Sequence, residues 1–289
     1  MKILVTGSNG FIGSHLCARL RKEHEVFYLA RPHNAMQLPG ANGATFFFEN
    51  NNIGALTRFM RENQIEGIIH LASCYIQAHK EEEIPNLIQS NVYFGTAVLE
   101  AAAKADVKWF INTGTIWQNY NAPDGSDAYC PVNLYAATKQ AFMNIAKFYS
   151  ETTDMRICTL KLCDTYGPND TRRKIYSLFE EIARSGETLK MSAGEQKLDM
   201  LHVEDVVEGF VHLAEMMHNG EELRDEYVLS SGQQLTLREI AANYEKEYNV
   251  HLNIEWGARP YRVREVMKPY KGNVLPGWNV QSTNKPIKR

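Results

Sequence analysis

Lys2-Ile3-Leu4-Val5-Thr6-Gly7-Ser8-Asn9-Gly10-Phe11-Ile12-Gly13 opens the chain and decides how the rest is read. Ile3-Leu4-Val5 is a short apolar run, and a helical pattern from Phe11 to Arg21 starts as soon as the glycines end. The glycines are spaced GxxGxxG. The first allows a tight turn, the second lets backbone N–H groups approach a pyrophosphate, and the third lets the helix pack closely on the strand. Strand, glycine turn and helix in that order are what a dinucleotide site requires. The candidate contacts are Gly7, Asn9, Gly10, Phe11, Ile12 and Gly13.

Outward from this stretch, β-rich runs alternate with helical ones. Residues 2–6, 25–30, 44–48, 67–71, 107–112 and 156–162 read as strands, with helices near 11–22, 53–64, 85–104 and 133–151. Six strands separated by helices predict an α/β chain built on a Rossmann-type, doubly wound parallel sheet with helices on both faces. Past about residue 165 the pattern becomes irregular, with helices near 174–185, 203–217 and 236–248 and short strands near 188–191, 226–229 and 252–255. The expected division is a dinucleotide-binding domain over 1–165 and a smaller, mainly substrate-binding lobe over 166–289, with some chain crossing back to the sheet. Open sheets of this kind bind ligands outside the carboxyl ends of their strands. The polar tail over 282–289 is expected to fray.

Composition narrows the function classes. With 289 residues, 22% of them charged, and a net charge of -3, the chain has no bulk basic character to attract nucleic acid or anionic lipid. No run approaches the length of a membrane span, and the first apolar run stops at Thr6-Gly7, too short for a signal-peptide core. A cytoplasmic location is expected. The five cysteines form no CxxC pair and are odd in number, which argues against a zinc site and a disulfide framework. No metal is expected.

A second constellation lies downstream. Tyr135 and Lys139 stand four apart in a helical stretch and share one face, so the lysine ammonium can act on the phenol. A phenol with a depressed pKa beside a nicotinamide is a proton donor for carbonyl reduction. The fifth strand runs into Phe110-Ile111-Asn112-Thr113-Gly114-Thr115, which puts small hydroxyl residues at its carboxyl end, and Thr115 is the one assigned to the substrate carbonyl. The second strand ends Leu29-Ala30-Arg31, without the acid that usually holds an adenosine ribose. Ala30 removes a charge that would repel a 2′-phosphate and Arg31 supplies a fork-shaped cation for one, which favours NADP(H).

Taken together with His70-Leu71-Ala72, these residues resemble an extended short-chain dehydrogenase/reductase of the nucleotide-sugar epimerase and dehydratase type. The resemblance spans nearly the whole chain and includes Tyr166-Gly167-Pro168-Asn169-Asp170, the stretch from Asp199 to Val207, and Gly277-Trp278. Within that superfamily, Phe110 to Thr115, Leu134 to Gln140, Gly194-Glu195-Gln196 and Arg262 to Met267 are similar to the CDP-paratose and CDP-abequose synthases. Those enzymes reduce the C4 ketone of a CDP-linked 3,6-dideoxyhexose with NADPH, for lipopolysaccharide O-antigen and other surface polysaccharides.

The resemblance implies Tyr135 as general acid and Lys139 as the residue that lowers its pKa and holds the nicotinamide ribose. Thr115 would bond the C4 oxygen, and Thr113 with Leu71, Ala72 and Ser73 would line the cofactor. Arg262 and Glu265 match the pair used on the diphosphate and nucleotide ribose, with Tyr75, Lys174 and Asp164 as further substrate contacts. Three departures stand out. Leu198 occupies the place of an arginine that meets the diphosphate, leaving Lys197 or Lys174 to compensate or the substrate phosphate to sit differently. Asp164 stands where asparagine is usual and would repel a diphosphate unless it faces a sugar hydroxyl. The helix that usually follows Gly277-Trp278 is missing, since 279–289 contains Pro286 and few apolar residues. The helices near 85–104 and 133–151 carry Val92, Phe94, Val98, Phe142, Ile145 and Phe148 beyond one buried stripe. In related enzymes that pair forms an intersubunit four-helix bundle, so a homodimer is expected. Two other readings stay open: an NAD-dependent 4-epimerase or dehydratase of the same fold, with dehydratase ranked lower because Ile116-Trp117 follows Thr115 where acids would stand, and a non-catalytic NADP-binding regulator.

Overall fold

In the computed structural model, which describes residues 1–30, 45–49, 51–123 and 126–281, the opening apolar run becomes strand β1 (Lys2–Thr6). Its side chains divide between two cores, Ile3 and Val5 on one face and Leu4 on the other. A strand buried on both faces has no polar side, which is why the run is continuously apolar. The chain continues through α1 (Phe11–Leu20), β2 (Glu25–Ala30), β3 (Thr45–Phe47), α2 (Ile53–Glu62) and β4 (Gly67–His70). Helix α3 (Ile84–Ile88), a π-helical turn over Gln89–Tyr93 and α4 (Phe94–Lys104) then lead to β5 (Trp109–Thr115), α5 (Leu134–Thr152) and β6 (Arg156–Leu162). After these come β7 (Asp164–Tyr166), α6 (Ile175–Ser185), β8 (Leu189–Met191), β9 (Lys197–His202), α7 (Val203–His218), β10 (Glu226–Leu229), β11 (Gln234–Thr236), α8 (Leu237–Tyr248) and β12 (Ile254–Trp256).

Seven strands form the central sheet in the order β10-β6-β5-β4-β1-β2-β3, with every neighbouring pair parallel. The fold is therefore the expected doubly wound α/β type. From β1 the chain goes to β2 and β3 on one side, then returns to β4 on the other, so a crevice opens at the carboxyl ends of β1 and β4. Helices α1 and α7 cover one face of the sheet, and α2, α4 and α5 the other. Helices α4 and α5 approach closely because Gly95 has no side chain: a Cβ there would lie 2.5 Å from the Phe142 ring.

The second part of the chain divides between a core of its own and the central unit. Residues of α6 and α8, including Phe179, Ile182, Leu237, Ile240 and Tyr244, share a core of their own with Leu252. Strands β11-β9-β7 form a three-stranded sheet, and β12 pairs with β8. But α7 belongs to the central unit, where it packs beside α1 and its Glu208 accepts from Arg19 Nε at 2.8 Å. β10 extends the central sheet past β6, in the register Tyr227 to Leu160. The reason is burial: α7 hides Val206, Val207, Phe210, Leu213 and Met217, too wide an apolar surface for a helix at the edge of a small lobe.

Three strands were not expected from the sequence. β7, β9 and β11 are short or charged, and β9 reads Lys-Leu-Asp-Met-Leu-His; its extended form follows from pairing on both sides rather than from propensity. The apolar helix residues also sort differently. Phe94, Val98 and Phe142 are buried within the chain's own core rather than on an outer face. Val92 and Ile145 are partly covered. The large apolar side chains left exposed on this pair of helical stretches are Ile84, Ile88, Tyr93 and Phe148, the last with 60% of its surface free.

Candidate active site

The glycine turn sits against the strand across the crevice. Gly7 has φ +70°, in the left-handed region, and a Cβ on it would lie 2.7 Å from the Ala72 backbone nitrogen. A Cβ on Gly13 would lie 2.1 Å from the Gly7 carbonyl oxygen. Only glycine satisfies both approaches. Below the turn, Thr6 Oγ1 accepts from the Ala72 N–H at 3.1 Å and lies 2.9 Å from His70 Nδ1. The His70 ring is buried among Phe94, Phe110 and Phe142, and burial, helped by the Lys139 charge, pushes it down to about 3. It is neutral and structural. A cleft of about 470 Å³ opens above, lined by Gly7, Asn9, Gly10, Leu71, Ala72 and Ser73 and, at the end of β2, by Ala30. Arg31 lies outside the described residues.

A second cleft of about 240 Å³ adjoins the first and brings together Phe11, Ile12, Gly13, Thr113, Thr115, Tyr135 and Lys139. Asn133 caps α5 by accepting from the Ala136 N–H at 3.0 Å and anchors the cap by donating to the Gln77 carbonyl at 3.0 Å. The capped helix presents Tyr135 and Lys139 one turn apart. Lys139 is only 1% exposed, and burial lowers its ammonium to about 8. Burial raises the Tyr135 phenol, against the pull of a Ser73 hydrogen bond and the Arg172 charge. The expected depression of the phenol by Lys139 is therefore not found. The lysine's field falls on His70, while the phenol turns toward Ser73 and Arg172. A phenol held up in this way stays protonated at neutral pH, the form that can give a proton. Thr115 ends β5 with its N–H on Gln118 Oε1 at 2.9 Å and its Oγ1 accepting from Trp117 N–H at 3.3 Å. The Thr113 hydroxyl is buried without a partner among the described residues, so it has hydrogen-bonding capacity left for a ligand.

Sequence reasoning missed Asn91, which ties this site together. The π turn buries its side chain, whose Oδ1 accepts from Cys74 N–H at 2.7 Å and from Ser73 Oγ at 3.2 Å. Its Nδ2 donates to the Cys74 carbonyl and to Thr138 Oγ1, both at 2.9 Å, and Thr138 in turn donates to the Tyr135 carbonyl at 2.7 Å. One amide thus fixes the extension of β4 relative to α5. A polar Ser90-Asn91 pair inside an apolar helical stretch was the available signal.

A third cleft of about 430 Å³ continues from the second and is lined by Tyr75, Asp164, Lys174, Arg262 and Glu265. Lys174 Nζ lies 3.8 Å from Asp164 and over the rings of Tyr75 and Trp117, at 4.8 and 5.9 Å. Burial raises the Asp164 carboxyl and the Lys174 charge opposes it, so the expected repulsion of a diphosphate is offset within the pair. Arg262 Nε stands 4.0 Å from Glu265. Arg172 was also missed, although it stands two residues after the Tyr166 to Asp170 motif. It makes two 2.7 Å bonds to Asp170 and one of 3.0 Å to the Thr165 carbonyl, covers the Phe11 ring at 4.6 Å, and lines both the second and third clefts. Beside Leu198, the third cleft is lined by Arg172, Arg173, Lys174, Lys197, Arg262 and Arg264 against the carboxylates of Asp164 and Glu265. The site is cationic in a chain of net charge -3.

Among the described residues, Glu23, His24 and Glu215 could converge on an ion, but they lie at the amino end of the sheet, opposite the clefts, and Glu23 already pairs with Arg19 at 3.1 Å. Among the described residues no helix is long and apolar enough to cross a membrane.

A family model described as the NAD dependent epimerase/dehydratase family matches residues 3–229. A CDP-abequose synthase of Yersinia pseudotuberculosis is 29% identical over 272 residues, covering 93% of this chain and 92% of that protein. Another of Salmonella muenchen is 25% identical over 295 residues, 100% of this chain and 96% of that protein. The solved structure of a UDP-glucose 4-epimerase from Thermotoga maritima with UDP-glucose superposes with a TM-score of 0.81 at 21% identity, over 97% of this chain and 94% of that one. At that identity the likeness shows the fold.

Because Lys139 is held at about 8 against an ordinary 10.5, the folded chain binds fewer protons than the unfolded chain between those values, and stability rises with pH across that window. Below it the buried charge is a cost. Lys139→Met is therefore expected to raise the melting temperature at pH 7, with the gain shrinking as the pH climbs from 8 toward 10.5. Thermal melts of both proteins across that range check it, and a variant that melts lower at pH 7 would refute it.

Proposed function

The chain belongs to the NAD dependent epimerase/dehydratase family, and from that premise we propose that it reduces the C4 ketone of a nucleotide-linked deoxysugar with NADPH. The observation that carries this reading is the neck where Thr115, Tyr135 and Lys139 join a glycine-walled cleft to one lined by cations. The residues present suit a dinucleotide: Gly7 and Gly13 leave room that a Cβ would fill, and Thr113 has a buried hydroxyl to spare. When bound, NADPH would supply the hydride. Tyr135 then donates its phenolic proton to the ketone oxygen, Thr115 bonds that oxygen, and Lys139 holds the nicotinamide ribose. Arg262, Glu265, Lys174 and Tyr75 are assigned to the nucleotide sugar, with Arg172 taking the place left open at Leu198. A CDP-4-keto-3,6-dideoxyhexose is the favoured substrate, because two relatives matched over 93% and 100% of this chain, and over 92% and 96% of their own length, carry the name CDP-abequose synthase. A role in O-antigen synthesis in the cytoplasm goes with it. Residues 1–165 would serve mainly the cofactor and 166–289, apart from α7 and β10, mainly the substrate.

Purified protein mixed with NADPH and a panel of 4-keto nucleotide sugars should oxidise the cofactor only with a ketone it accepts. Tyr135→Phe is expected to keep NADPH binding and lose roughly two to four orders of magnitude in turnover, the usual worth of a positioned general acid. Near-normal turnover in that variant would remove Tyr135 from the mechanism.

The choice of NADP(H) rests on Ala30 and Arg31. Arg31→Ala should weaken NADPH about tenfold to a hundredfold, the worth of one charge-assisted contact of about 1.5 to 3 kcal/mol, and leave NADH unchanged. Equal losses in titrations with both cofactors would show that Arg31 does not read the phosphate.

The exposed Ile84, Ile88, Tyr93 and Phe148 support a homodimer through α3 to α5. Light scattering is expected to give about twice the chain mass of 32.9 kDa, and the single-chain mass at micromolar concentration would reject the pairing.

A further inference from the structure

Phe11 is the first residue of α1 and directly follows the second glycine of the opening turn, so its backbone belongs to that turn. Its ring is used elsewhere. The Arg172 guanidinium lies over the ring at 4.6 Å, and His15, one helical turn further along α1, stands nearly perpendicular to the same ring at 5.6 Å. His15 Nε2 is 3.0 Å from the Pro168 carbonyl oxygen, which can only accept, so this nitrogen carries the proton and donates. Two residues on one face of α1 thus reach the segment between β7 and α6.

Within that segment Arg172 is held by its neighbours. Its Nε and Nη2 donate to the two carboxylate oxygens of Asp170, both at 2.7 Å, and Nη2 also donates to the Thr165 carbonyl at 3.0 Å. These partners all lie within residues 165–172, so they fix the guanidinium relative to its own turn and would travel with it. The Phe11 ring and the His15 bond are what tie this turn to α1. Among the described residues Arg172 Nη1 has no hydrogen-bond partner. Asp170 offsets much of the charge, so what Arg172 offers an anion is a hydrogen-bonding edge rather than a bare cation. Such an edge works only at the right distance and angle, which makes its placement decisive.

We infer that Phe11 is a positioning residue for the substrate: its ring sets Arg172 where the second and third clefts meet, so that Nη1 can bond the diphosphate of a nucleotide sugar. This rests on the substrate class proposed above and adds a residue that would act on it through another. Phe11 then has two separate duties, its backbone serving the cofactor turn and its ring serving the other ligand. The Arg172 side chain is 37% exposed, so its contact with the ring is partly solvated, and the effect at stake is about threefold to tenfold in affinity.

The experiment is a double-mutant cycle on nucleoside diphosphate binding. The full chain, saturated with whichever of NADP+ and NAD+ it binds more tightly, is titrated calorimetrically with CDP, UDP, dTDP, GDP and ADP, and the tightest ligand is carried to the variants. Phe11→Leu keeps apolar bulk and removes the ring, and should weaken that ligand about threefold to tenfold. Phe11→Tyr restores a ring face and should return the affinity to within about twofold of wild type. Arg172→Ala alone should cost at least as much as Phe11→Leu, and in the Arg172→Ala background Phe11→Leu should have no further effect, because the ring acts only through the guanidinium. A merely structural role would show its loss in both backgrounds. Additive losses, a Phe11→Leu chain that binds the diphosphate like wild type, or one that loses dinucleotide affinity by the same factor would overturn the positioning role and leave the nucleotide-sugar reading standing. If the wild-type chain binds none of the five nucleoside diphosphates, that reading fails and the role of Phe11 fails with it.

Discussion

A lysine ammonium held out of water at the carboxyl end of the sheet is the constraint around which the site is built. Lys139 reaches its place only because α5 runs for 19 residues across the sheet face with its first turn capped and its middle pressed against α4. Phe142 occupies the space that Gly95 leaves open, and the Asn133 cap binds to Gln77 in the segment after β4. Burying a charge without a paired carboxylate disfavours folding. Stability is given up at one residue, and Ile3, Leu4, Val5, Phe110 and their neighbours, all fully buried, supply it elsewhere.

The crevice follows from the order of strands and is held by a few polar contacts. Where β1 and β4 part, their backbone groups would face a gap. Thr6 bridges it, accepting from Ala72 and meeting His70, and Asn91 continues the same task from Cys74 to Thr138 and so to Tyr135. The glycine turn, the end of β4 and α5 are thereby linked by hydrogen bonds with little freedom. In such a network, shifting one member moves the others.

What could be read beforehand was local. The strand, glycine turn and helix, the alternation of elements and the i, i+4 spacing of Tyr135 and Lys139 each depend on a short stretch of chain, and each recurs in the structure with its ends shifted by at most a few residues. What could not be read depends on partners far along the chain. The charged β9 is a strand because β7 and β11 pair with it, and although some crossing back to the sheet was expected, the order of elements does not single out α7 and β10 as the segments that return. Asn91 escaped because the π turn shifts the helical register, turning inward a residue that regular spacing does not mark. Arg172 escaped because the backbone folds back after Tyr166, through Gly167 at φ +151° and Asn169 at φ +64°, to bring a surface-like arginine over Phe11. The proposed homodimer face illustrates the same point: apolar periodicity says that a residue is covered, but not whether its cover is Phe110 in the same chain or a second copy.

The distribution of charge along the clefts gives the site its logic. Acidic residues outnumber basic ones in the whole chain, 34 to 31, yet the third cleft concentrates cations, because a field at short range is set by the nearest groups and distant surface charges are screened within about 8 Å at physiological salt. On the proposed reading, the diphosphate end of the substrate is held there, far from the bond that changes. Interactions with such a remote group can be used to align the ketone with Tyr135 and Thr115. Arg172 is suited to that transfer. It lines both clefts, and its two bonds to Asp170 fix the guanidinium, so an anion bound in one cleft meets a charge that does not have to reorganise for the other.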